Sequence, residues 1–137
     1  MATKTAVYNE GAPDLGSVFN WGVKISEINE LFLLAGRGDV GPDGQIRNPG
    51  DAVGQTASIL AELKDLIEGD GYTLNDVIRI EFTMSKDVDH SQQQAIFSQF
   101  ADLFTQVDVK PAAGTLRVVE RLAFPGMLVE YEIWLAK

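Results

Sequence analysis

The chain has 137 residues, a formal net charge of −9, one histidine and no cysteine. That length suits a single domain over residues 1–137, large enough to bury roughly two thirds of its unfolded surface without covalent staples. The missing cysteines exclude disulfides, thiolate nucleophiles and cysteine metal sites, and the acidic balance with scattered Lys and Arg argues against a nucleic-acid partner. A reducing compartment fits this composition, so a cytoplasmic location is expected. Residues Met1–Thr5 lack the apolar core of a signal peptide, and no apolar run approaches the roughly 20 residues of a membrane span, so no membrane association is expected.

After Gly11-Ala12-Pro13, the apolar segments around Val18–Ile25 and Leu31–Leu34 are predicted strands, divided by the polar turn Ser26–Glu30. Gly36–Gly44 reads as a loop, with Pro42-Asp43-Gly44 supplying the turn chemistry. Asn48-Pro49-Gly50-Asp51 opens a helix, with Asn48 as the cap and Pro49 at the first helical position. Val53, Ala57, Leu60, Leu63 and Ile67 then recur near a 3.6 period until Gly69 and Gly71 stop it. Ile78, Ile80, Phe82 and Met84 alternate with Arg79, Glu81, Thr83 and Ser85, the period of a half-buried strand. Ser91 with Gln94 signals a capping box, and Ile96, Phe100, Leu103 or Phe104, and Val107 form the stripe of a second helix.

Two strands close the chain, one led by Pro111 and one ending at Ala136. The order predicts one α+β domain, a mixed sheet of about six strands with two helices packed on one face. Val129, Tyr131, Ile133 and Leu135 belong to the covered face. The other carries Leu128, Glu130, Glu132 and Trp134, with Arg79, Glu81 and Arg117 from neighbouring strands. Two readings of that face stay open: a solvated surface with cross-strand charge pairs, or a subunit interface.

Counting removes several chemistries. His90 stands beside Asp89 just before the second helix, where a helix-entry role is expected, and no histidine cluster exists for zinc. Gly36-Arg37-Gly38-Asp39-Val40-Gly41 has the wrong spacing for a phosphate loop. Neither a metal nor a cofactor is expected.

Three stretches carry a family resemblance. They are the segment Lys110-Pro111-Ala112-Ala113-Gly114-Thr115-Leu116-Arg117-Val118-Val119-Glu120-Arg121-Leu122, the final Leu128-Val129-Glu130-Tyr131-Glu132-Ile133-Trp134-Leu135-Ala136, and Leu33-Leu34-Ala35-Gly36 with Gly41-Pro42-Asp43-Gly44-Gln45-Ile46. Together they resemble the Rid family of reactive intermediate deaminases, also called YjgF-like proteins. The resemblance implies a chorismate-mutase-like fold whose uncovered sheet faces pack as a homotrimer, with ligand clefts between neighbours. It also implies water addition to the C=N carbon of a 2-imino acid or its enamine, releasing ammonia and a 2-keto acid.

In that family an arginine holds the substrate carboxylate, a task suited to a planar guanidinium with paired donors. Here its place falls on Ala113 or Gly114, according to whether Pro111 or Arg121-Leu122 anchors the comparison. The family's serine matches Ala35, its glutamine matches Arg37, and Phe19 is the nearest match to its early aromatic. The resemblance thus assigns Glu130 the catalytic role of orienting water or substrate. Arg37, Phe19, Ala113, Gly114 and Thr115 become ligand-binding positions for an anionic small molecule, with Arg37 and Glu130 within one ligand's length of each other. Two functions remain open: an imine or enamine hydrolase with an unusual substrate, or a non-catalytic metabolite-binding or regulatory member.

Overall fold

In the computed structural model, which describes residues 2–13 and 18–137, the nine-residue β4 (Val77–Ser85) is the axis of the molecule. Its inward side chains Ile80, Phe82 and Met84 are buried while Arg79, Glu81 and Thr83 face outward, as the alternation predicts. Around it the strands run in the order β3 (Leu31–Leu33), β6 (Val129–Ala136), β4, β5 (Ala112–Val119). β6 is antiparallel to β3 and β4, whereas β4 and β5 are parallel and joined by the crossover helix α2 (His90–Leu103). β1 (Thr3–Val7) and β2 (Gly22–Ser26) form an antiparallel pair beside β5. Asn20 fastens this region to the lead-in of β5 by N–H···O bonds from its backbone to Pro111 (3.0 Å) and its side chain to Lys110 (2.7 Å). Six strands and two helices on one face result, as expected.

β1 is absent from the sequence reading. Thr-Lys-Thr-Ala-Val is too polar to announce a strand, and in the fold only Lys4 and Ala6 of its alternation are half-buried. β2 starts at Gly22 rather than Val18, and Phe19 ahead of it turns into the core.

The helix caps also differ from expectation. α1 (Ala52–Gly69) is capped by Asp51, whose Oδ1 accepts the Gly54 N–H at 2.9 Å. Gly50 has φ +70°, so the chain turns there and Pro49 lies ahead of the helix. Asn48 instead donates its backbone and side-chain N–H groups to the buried Asp39 carboxylate at 3.0 and 2.7 Å. The far end of α1 closes as a Schellman motif: Tyr72 N–H bonds Ile67 C=O at 2.9 Å and Gly71 N–H bonds Glu68 C=O at 3.1 Å, with Gly71 at φ +83°. In α2 the capping box is Asp89 with Gln92, two residues earlier than the expected Ser91 with Gln94. His90 is the first residue of that helix, the expected entry role.

The core is an aromatic cluster centred on Phe82, whose ring lies 5.4 Å from Phe19, 5.5 Å from Phe97, 5.0 Å from Phe100 and 5.8 Å from Tyr131. Tyr131 reaches up to α1, where its hydroxyl bonds Thr56 Oγ1 at 2.7 Å. Burial raises the Tyr131 hydroxyl far above its usual range and keeps it neutral. Among the described residues no helix is long and apolar enough to cross a membrane.

Candidate functional site on the open sheet face

The face turned away from the helices holds a hollow of about 340 Å³ lined by Gly36, Glu81, Thr83, Arg117, Glu130 and Glu132. The register explains the grouping. Across β4 and β6, Thr83 stands opposite Glu130 and Glu81 opposite Glu132, while Thr83 is also level with Arg117 of β5.

Glu81 is the fixed point of this face. Its Oε1 accepts from Arg79 Nη2 (2.7 Å) and Nε (2.9 Å), and its Oε2 from Arg117 Nη1 (2.9 Å) and Thr115 N–H (3.0 Å). Only 14% of its side chain is exposed. Burial alone would raise its pKa, but the hydrogen bonds from Thr115, Arg117 and Arg79 outweigh that and hold it below the usual carboxylate range.

A group depressed in this way stabilises the fold above its unfolded pKa and loses that contribution as pH falls through its folded pKa. Glu81→Gln is therefore expected to cost about 1.5–3 kcal/mol near neutrality, a difference from the parent that narrows below about pH 4. Urea unfolding of both proteins at pH 7 and pH 3 measures it; an equal gap at both values would contradict the assignment.

The backbone makes room for this carboxylate. Ile80 pairs with Ala113 and Phe82 with Leu116, so Gly114 and Thr115 together oppose Glu81 in a β-bulge. A Cβ on Gly114 would lie 2.5 Å from both Glu81 Cδ and the Ile80 carbonyl oxygen. The side chain of Ala113 lies outside the described residues. Gly114 and Thr115 thus form a bulge with Glu81 folded over it.

Glu130 occupies the other end of the hollow, over Gly36. A Cβ at Gly36 would meet Glu130 Oε1 at 2.3 Å, so the missing side chain is what lets the carboxylate lie there. Among the described residues the Glu130 carboxylate accepts no hydrogen bond. Glu132 accepts one from Trp134 Nε1 at 2.9 Å, and the Arg79 guanidinium lies 5.9 Å from the Trp134 ring.

Two sequence expectations find a different setting. Arg37 exchanges both backbone hydrogen bonds with Tyr131, at 2.8 and 3.0 Å, and shares its face, the helix side. There it binds Glu62 of α1 bidentately, Nη2 at 2.7 Å and Nε at 3.1 Å, and Arg47 adds 2.9 Å to the same carboxylate. Arg37 and Glu130 therefore face opposite sides of the sheet within one chain. The hydrogen bond from Arg47, joined by those of Arg37, holds Glu62 below the usual range against the opposing effect of burial. Phe19, 7% exposed, packs edge-on against Phe82 inside the core rather than lining the hollow. Thr115 touches the site through its backbone N–H.

Leu128 packs against the core, while Leu31 and Leu33, at alternate positions of β3, and Trp134 leave apolar surface exposed. A larger cavity of about 790 Å³ opens at the chain-end side of the sheet, lined among others by Lys4, Asn75, Asp108 and Lys137. Its two lysines are held by the backbone carbonyls of Asn75 and Gly71.

Parallel β4 and β5 joined by a helix, antiparallel β6 between β3 and β4, and an open face with a polar hollow together define a Rid-type domain. The family model described as Endoribonuclease L-PSP matches residues 12–136, and the chain belongs to that family, the one also called Rid or YjgF-like. A RutC family protein of Pyrococcus horikoshii is 27% identical over 97 residues, 71% of this chain and 75% of its own. The fold is similar to that of the Rid protein YyfB from Yersinia pestis, a protein of unknown function, with TM-score 0.84 at 24% identity over 98% of each chain. It is also similar to yeast Mmf1, with TM-score 0.65 at 18% identity over 98% of this chain and 99% of that one.

Proposed function

We propose that this chain is a cytoplasmic Rid-type hydrolase of an imine or enamine, working as a homotrimer whose clefts include the open-face hollow. The observation that carries the reading is the Glu130 carboxylate, seated over Gly36 at a cavity and without a hydrogen-bond partner among the described residues. Such a carboxylate accepts a hydrogen bond from water, takes its proton as the oxygen bonds to the C=N carbon, and returns it to nitrogen, giving a carbinolamine. The carboxylate then moves the hydroxyl proton to nitrogen as the C–N bond breaks, giving a carbonyl compound and ammonia or an amine. Family membership supports this chemistry. The exposed Leu31, Leu33 and Trp134 on the same face support assembly, since they offer apolar area beside the charged pairs.

Ammonia release from freshly generated imines, compared with Glu130→Gln, tests the reading. A loss of roughly 10²-fold or more is expected if Glu130 handles the proton, and sedimentation at micromolar concentration should show a trimer. Turnover unchanged by the substitution, or a monomer, would sink it.

A second reading, a non-catalytic metabolite-binding trimer, is favoured by one feature. Arg79 and Arg117 of this face are both engaged by Glu81. Saturable ligand binding without turnover of any imine would select it.

A further inference from the structure

We infer that Arg79, Arg117 and the Thr115 N–H form a carboxylate receptor that the chain's own Glu81 keeps filled, so that the hollow takes imines lacking a carboxylate at that point. The inference rests on the reading of the hollow as a ligand site and specifies which substrates it admits. Both oxygens of Glu81 are bound, one by two nitrogens of Arg79 and the other by Arg117 and a backbone N–H, at 2.7–3.0 Å. This is the arrangement that would hold a substrate carboxylate, with both oxygens gripped by charge-assisted donors.

Two further observations separate it from an ordinary surface ion pair. The seat is shaped for the group: the bulge brings the Thr115 N–H inward, and only a residue without Cβ at 114 leaves space for the Glu81 carboxylate. The donors also come from three positions on two strands, and Arg117 lines the hollow with 55% of its side chain exposed. A second carboxylate entering the hollow would face the three carboxylates Glu81, Glu130 and Glu132 against the one guanidinium of Arg117 in its lining, and like charges at this range repel. An imine or iminium carbon without a carboxylate meets no such barrier.

The test is a titration of the full chain with 2-oxobutanoate, a small 2-keto acid, followed by the amide resonance of Thr115. The parent is expected to show no saturation. Glu81→Ala should bind at least about tenfold more tightly, a difference of about 1.4 kcal/mol, and adding Arg117→Ala should remove the gain. Glu81→Gln keeps the shape of the side chain and serves where the alanine variant loses its dispersed spectrum; it too should bind more tightly than the parent. Binding by these variants no tighter than the parent's, or a gain that survives Arg117→Ala, overturns the receptor. The hydrolase reading fails separately: a receptor revealed by titration in a protein that turns over no imine leaves the receptor standing and removes catalysis. Turnover of carboxylate-free imines with no gain in the Glu81 variants does the reverse.

Discussion

Truncating Phe82 to alanine is expected to lower stability by about 3–5 kcal/mol, the largest effect of any single side chain in the core. Its ring is 2% exposed and lies edge-on or tilted against four others, so truncation removes its transfer energy and leaves a cavity that the strands cannot close. Phe82→Leu fills part of that space and should cost less than half as much. Urea unfolding of the three proteins measures both, and a loss under about 1 kcal/mol for the alanine variant would mean that the core is not centred there.

The second large effect is expected at Gln55. This fully buried amide donates from Nε2 to the carbonyls of Asn48 (3.0 Å) and Gly126 (3.1 Å) and accepts the Leu128 N–H at Oε1 (2.9 Å). It thereby ties the start of α1 to the entry of β6. Gln55→Ala strands three backbone groups at once, and since each unpaired buried group costs about 1–3 kcal/mol, a total near 3 kcal/mol is expected after relaxation. Gln55→Leu, close in volume but unable to hydrogen-bond, separates packing from pairing and should lose nearly as much. Hydrogen exchange at the Leu128 amide reports the same event locally. Slow exchange there in the alanine variant would show that another acceptor has replaced the glutamine.

What the sequence made visible follows physical range. β4 and β6 were readable because strict alternation is a local signal: inward Ile80, Phe82, Tyr131 and Ile133 against outward Glu81, Thr83, Glu130 and Glu132. The same alternation placed Arg79, Glu81 and Arg117 on one face. It could not show that Glu81 binds Arg117 as well as its strand neighbour Arg79, because that depends on the parallel register of β4 and β5.

The bulge at Gly114 and Thr115 was not legible, because an extra residue in one strand shows only against the register of its neighbour. The setting of Arg37 was not legible because its partner Glu62 lies on α1, and nothing local announces that a loop arginine meets a helix carboxylate. The caps were missed by two and three residues because Asn, Asp and Ser near a helix start are locally interchangeable. Which of them caps is decided by the chain's turn at Gly50 and by the demand of Asp39 for Asn48.

At three residues, β3 gives the outer edge of the four-stranded group too few backbone donors and acceptors to template another strand. Glu27, in the left-handed region at φ 58°, bends the chain just ahead of it, and Gly36 follows soon after it. Leu31 and Leu33 are therefore exposed on a face whose border resists edge-to-edge growth. A long strand in that position would have coupled the same apolar side chains to an open ladder, the combination that leads to fibrous aggregation. The short one leaves those side chains to meet another surface face-on, without an open ladder beside them.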